Sequence, residues 1–138
     1  MSYDININAE KQLLYVCGQG QITSFDIDTY YSRLKEAGGV ETCTKALINL
    51  SHKNVRIKGA RLKNIRVLGL MFQRSPILPV GTKMAVIVSS TLAFGFVRLF
   101  MGVRGERMII RPFKNMNDAL IWLEISATDI PPIIAYHV

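Results

Sequence analysis

The stretch Lys45-Ala46-Leu47-Ile48-Asn49-Leu50-Ser51 decides how this chain folds. Four apolar side chains and one asparagine lie between a lysine and a serine, with no alternation of apolar and polar. A strand with one wet face alternates, so this run predicts a strand covered on both faces. Met84-Ala85-Val86-Ile87-Val88 has the same pattern and also ends in serines, Ser89 and Ser90. Each run leads into a segment of helical spacing. Two central parallel strands joined by crossover helices are the simplest arrangement.

Working outward, Tyr3-Asp4-Ile5-Asn6-Ile7 alternates and predicts an edge strand with one solvated face. A polar turn over residues 8–11 and a returning strand over 12–17 complete a hairpin. Gly18 and Gly20 then lead to a helix capped by Thr23 or Ser24, with Asp26 near its free amides. Ile27, Tyr30, Tyr31 and Leu34 keep helical spacing until Gly38-Gly39 ends the run.

Beyond the central strand, a loop over residues 51–54 precedes a helical pattern over 55–73. Ile57, Ala60, Ile65, Leu68, Met71 and Phe72 share one side of it; Arg56, Lys63, Arg66 and Arg74 share the other. After the second central strand, residues 92–101 predict a helix whose one charge is Arg98. So apolar a helix is deeply buried or meets something besides its own sheet, and Phe94, Phe96 and Phe100 are its candidate interface. Residues 107–111 read as the last strand, stopped by Pro112. Asn115 and Asp118 then cap a helix presenting Ala119, Leu120, Trp122 and Leu123. The expected organisation is one domain over 1–125 and a tail over 126–138 without clear periodicity, packed on the domain or on a neighbouring subunit.

The whole chain sets the function classes. Its 138 residues suit a single domain with a proper core. Lys and Arg outnumber Asp and Glu by 17 to 10, for a net charge of +7. The imbalance is local: between Thr42 and Gly105 there are eleven basic residues and no acidic one. Such a block attracts phosphates, anionic lipid heads or an acidic protein, or is simply a solvated surface. Arg56, Arg61, Lys63 and Arg66 are the candidate anion-contacting face. Basic and aromatic residues are not interleaved on one strand face, which disfavours nucleic acid. Cys17 and Cys43 have neither metal-ligand spacing nor a disulfide framework and read as reduced thiols. No signal peptide and no apolar run of spanning length is present, so a cytoplasmic protein is expected.

Catalytic chemistry is poorly represented. Neither His52 nor His137 has a carboxylate or cysteine at ligand or triad spacing. There is no dinucleotide fingerprint, P-loop or nucleophile elbow, and Gly18-Gln19-Gly20 reads as a turn. The expectation is a chain that is not an enzyme and needs no metal or cofactor. Two serine sites remain, one at the end of each central strand: Ser51 with His52 and Lys53, and Ser89 with Ser90 and Thr91. Ligands of open α/β sheets bind beyond the carboxyl ends of strands, and helix N-termini favour anions. Capping by Ser90 or Thr91 is the simpler alternative.

The order and spacing of four stretches resemble the STAS/SEC14-like family of small bacterial proteins, also described as SpoIIAA-like. They are Leu14-Tyr15-Val16 through Gly20; the run from Lys45 to Ser51; Ala85-Val86-Ile87-Val88-Ser89-Ser90 through Phe94-Gly95; and Phe113 with Asp118-Ala119-Leu120-Trp122-Leu123. The resemblance implies an α/β domain with a mixed sheet of about five strands, an antiparallel N-terminal edge strand and about four helices. In the anti-sigma-factor antagonists of that family, a serine at the start of the helix after the central strand is phosphorylated, switching a protein–protein contact. Here the corresponding Asp-Ser-Ser-Gly-type run is replaced by Ser51-His52-Lys53-Asn54, and the aspartate often seen in the strand is Asn49. Relatives on the SEC14-like side bind lipids. The leading expectation is a non-enzymatic regulatory or protein-interaction module, working with a protein partner or as a homo-oligomer. The alternative is a binder of lipid or another apolar or anionic ligand, with the phenylalanine-rich helix holding the tail and the basic helix the head group.

Overall fold

The computed structural model describes residues 2–22, 24–52, 56–57, 78–88 and 108–131. Strands β1 (Ser2–Asn8) and β2 (Leu13–Gln19) form the hairpin, antiparallel, with Ile5 opposite Val16 and Asn8 opposite Leu13. The Asn8 side chain accepts from the Lys11 amide and so shapes the turn itself. A two-residue strand β3 (Gln21–Ile22) and helix α1 (Ser24–Ala37) follow. Gly38 and Gly39 end α1 with φ of 72° and 75°, a left-handed backbone that costs glycine least.

Strand β4 (Lys45–Leu50) takes the middle of a five-stranded sheet of order β1-β2-β4-β6-β7, with β6 (Thr82–Val88) and β7 (Met108–Phe113) beyond it. β2, β4, β6 and β7 run parallel. The unbroken apolar runs are explained by this position: β4 and β6 have a neighbour on each edge and cover on each face. Helix α2 (Met116–Leu123) follows β7, and its N-cap Asn115 accepts from the Asp118 amide at 2.8 Å. No helix among the described residues is long and apolar enough to cross a membrane.

Strand alternation divides the core in two. Leu14, Val16, Ala46, Ile48, Met84, Val86 and Ile110 pack on one face with Leu34 of α1. Leu13, Tyr15, Cys17, Leu47, Ala85 and Ile87 pack on the other with Ala119, Leu120 and Leu123 of α2. Leu13, Leu14 and Leu47 have no exposed surface. Each such leucine contributes about 1.5–3 kcal/mol of burial.

Three expectations change. Strand β7 continues through Pro112, which pairs with Val86, to Phe113. It lies at the end of the strand order, where a missing N–H is tolerated. Residues 56–57 form a strand, β5, parallel to β3, so Arg56 belongs to a strand and not to the start of a helix. The tail has more regular structure than its sequence pattern predicts. Ser126 and Asp129 form a reciprocal capping box around a 3-10 turn at Ala127–Asp129, and Ile130 is buried in the α2-side core. The Asp129 carbonyl also accepts from the Asn8 side chain at 3.2 Å. Of the four helices expected, α1 and α2 are described; those over 55–73 and 92–101 lie outside the described residues, apart from 56–57.

Candidate functional site at the end of the central strand

The strand registers place Ser51 on an irregular segment. Cys17 pairs with Asn49 and, further on, Gln21 pairs with Arg56. Between these two points the first chain segment spends three residues and the second spends six. Ser51 and His52 follow β4 at its carboxyl end.

The side chains there form a connected polar chain inside the α2-side core. The Ser51 backbone N–H, which can only donate, reaches Asn49 Oδ1 at 3.1 Å. That fixes the orientation of the Asn49 amide, whose Nδ2 donates to the Tyr15 hydroxyl at 3.2 Å. The Ser51 hydroxyl donates to the same Oδ1 at 2.5 Å. Asn49 is 4% exposed and Tyr15 is 1% exposed, so these bonds are needed to offset desolvation. Cys17 continues the chain. Burial pushes its thiol above the ordinary value, a hydrogen bond with Tyr15 pulls the other way, and Asp4 adds a smaller upward push. His52 is buried beside Ser51.

Tyr15 and Asn49 went unrecognised as site residues in the sequence, although the signal was present. Each is a hydrogen-bonding side chain inside an otherwise apolar strand, and the two strands are neighbours. Ser51 and His52 are brought together as expected from their adjacency. Lys53, the 89–91 serine-threonine run, Arg61, Lys63, Arg66, Phe94, Phe96 and Phe100 lie outside the described residues. Leu50 pairs with Val88, so the positions before Ser51 and Ser89 are neighbours across the sheet.

Other chemistry is spread thinly. Both cysteines are free and buried, and the Cys43 thiol is raised by burial and then by Glu41. No group of three metal-ligating side chains occurs among the described residues. An open groove between β1 and α1 is lined by Asp4, Ile5, Ile7, Arg33, Glu36 and Ala37. It mixes charges of both signs. At the β7 end of the α2 face, Lys83 Nζ lies 5.0 Å from the Trp122 ring centroid and the Arg111 guanidinium 5.5 Å from that of Phe113. The two rings are 5.6 Å apart.

No family model and no curated protein matches the chain. Among solved structures it is similar to an uncharacterised protein of the DUF3478 family with a SpoIIAA-like fold from Shewanella loihica PV-4. Identity is 21%, the TM-score is 0.53, and the match covers 88% of this chain and 93% of that one. The antiparallel first strand, the parallel remainder and the helix α2 after the last strand agree with that likeness. The chain therefore has the SpoIIAA-like fold.

Proposed function

We propose that this protein is a non-enzymatic interaction module with a regulatory role, engaging a protein partner or a second copy of itself. The observation that carries this reading is the bonding of Ser51. A nucleophilic serine hands its proton to a base. Here the hydroxyl donates to the Asn49 amide, which has no proton affinity in the physiological range, and that amide is itself fixed by Tyr15. The arrangement holds a half-buried hydroxyl in one orientation at the end of the central strand. Such a group recognises; it is not activated for attack. The SpoIIAA-like fold is compatible with protein interaction, and the 11-cation, carboxylate-free middle of the sequence supplies a field for an acidic partner.

The test is affinity capture with the tagged full chain at low and at high salt, followed by identification of bound protein and lipid, with light scattering on the purified chain. A stoichiometric protein, or a concentration-dependent dimer, is the expected result. A co-purifying lipid with monomeric protein at every concentration would replace this reading with the ligand-binder alternative.

A further inference from the structure

The end of the α2 face beside β7 carries a second surface, separate from Ser51. Lys83 and Ile109 pair across β6 and β7, and Arg111 and Phe113 follow Ile109 at the two-residue spacing that keeps them on the same face. Trp122 of α2 closes the group. Lys83 rests on its ring, Phe113 packs against it at an interplanar angle of 48°, and Arg111 rests on Phe113. Both cations are thus held by aromatic rings, and neither has a carboxylate partner among the described residues. The α2 carboxylate Asp118 is engaged by the Asn115 side chain. Ile109 is 48% exposed, and Ile121, on the outer side of α2, is 67% exposed. Large apolar side chains are therefore open to solvent on both elements that build the surface.

From this juxtaposition we infer that the Lys83–Trp122–Phe113–Arg111 surface docks an acidic peptide segment of a protein partner. Ordered cations without counter-charges recruit carboxylates, and holding them on aromatic rings reduces the side-chain freedom lost on binding. The exposed isoleucines suit apolar side chains set between those carboxylates. A single-stranded nucleic acid fits less well, because bases stack on open aromatic faces and these are occupied by Lys83 and by ring–ring packing. The inference rests on the interaction-module reading and adds the partner's chemistry.

Trp122 is the only tryptophan in the chain, so its emission reports on this surface without a label. The probes are a fluorescein-tagged peptide of glutamates with leucine at every fourth position, the same peptide with lysine for glutamate, and a tagged oligothymidylate. At low salt the glutamate peptide should bind and shift Trp122 emission, while the lysine peptide should not. Lys83→Gln with Arg111→Gln should weaken binding about tenfold, Ile109→Ser about threefold, and Lys35→Gln, on α1 at the opposite face of the sheet, should leave it unchanged. Circular dichroism of each variant verifies the fold. Undetectable binding of the glutamate peptide, equal binding by the double variant, or tighter binding of oligothymidylate lost in that variant would each overturn the inference. A cellular partner captured equally by wild type and double variant would leave the interaction module standing and remove this surface from it.

Discussion

The two faces of the sheet are made by alternate residues of the same strands, yet they differ in chemistry. The α1 face is apolar along most of β2, β4 and β6: Leu14 and Val16, Ala46 and Ile48, Met84 to Val88 by alternation, with Thr82 at the start of β6 bonded to the Cys43 and Pro79 carbonyls. The α2 face begins in the same way with Leu13, Leu47 and Ala85, then changes character. At its upper end Tyr15, Cys17 and Asn49 replace aliphatic residues and hold Ser51; at its β7 end two cations rest on aromatic rings. A sheet buried on both faces needs only shape and hydrophobicity from each. Buried polar groups that must all be satisfied are an expense without benefit to packing. Among the described residues the α1 face buries Thr82 against the backbone carbonyls of Cys43 and Pro79, whereas the α2 face links buried polar side chains to one another.

The strongest way to break this comparison is to show that the faces differ in packing as well. Leu14→Ala and Leu47→Ala each remove a fully buried side chain and should each cost about 3 kcal/mol in denaturant unfolding. A loss below about 1 kcal/mol for either would mean that its face is not a packed core. Next is the polar hub. Asn49→Ala removes the acceptor of both Ser51 donors and one partner of the Tyr15 hydroxyl, for an expected loss of about 2 kcal/mol. Replacing Ser51 by Ala leaves its backbone N–H on Asn49 and should cost only about 0.5 kcal/mol. Equal losses would refute Asn49 as the organising residue. Asn115→Ala removes the α2 cap and should cost about 1 kcal/mol, read by the same unfolding curves.

The thiols sharpen the comparison through pH, since Cys43 lies on the α1 face and Cys17 on the α2 face. Burial raises both above the ordinary thiol value. A raised thiol stays protonated in the folded chain while its unfolded counterpart ionises. Stability is therefore intact below about pH 8.5 and declines as pH rises through the folded values. Cys17→Ala and Cys43→Ala should each flatten that decline. Only Cys17 has a Tyr15 hydrogen bond lowering it, so Tyr15→Phe should move its alkylation profile further toward alkaline pH and leave that of Cys43 in place. Movement of both profiles would mean the Tyr15 effect is global, not a hydrogen bond.

The fold was legible because strand runs and caps are local signals. The unbroken Ala46–Leu50 core, the alternating 3–7 segment and the Asn115 cap each report a position in the sheet without knowledge of partners. Three features were not legible for the opposite reason. Strand β5 exists because Arg56 and Ile57 find β3, a pairing at long range that overrides the helical spacing around them. Pro112 stays in strand because β7 is at the sheet's end, a fact of topology. Likewise, Tyr15 and Asn49 look like isolated exceptions until the β2–β4 register makes them neighbours. Ser51 and His52 were visible as polar residues at a strand end, but not what Ser51 bonds to.

That bond is the centre of the account, and a serine-directed fluorophosphonate tests it most directly. Incubated with the full chain at neutral pH and read by peptide mass spectrometry, it should leave Ser51 unlabelled, because the hydroxyl donates to the Asn49 amide oxygen, which is not a base. Stoichiometric labelling of Ser51 in wild type, absent in Ser51→Ala, would contradict the interaction-module reading and place an activated nucleophile at the end of β4.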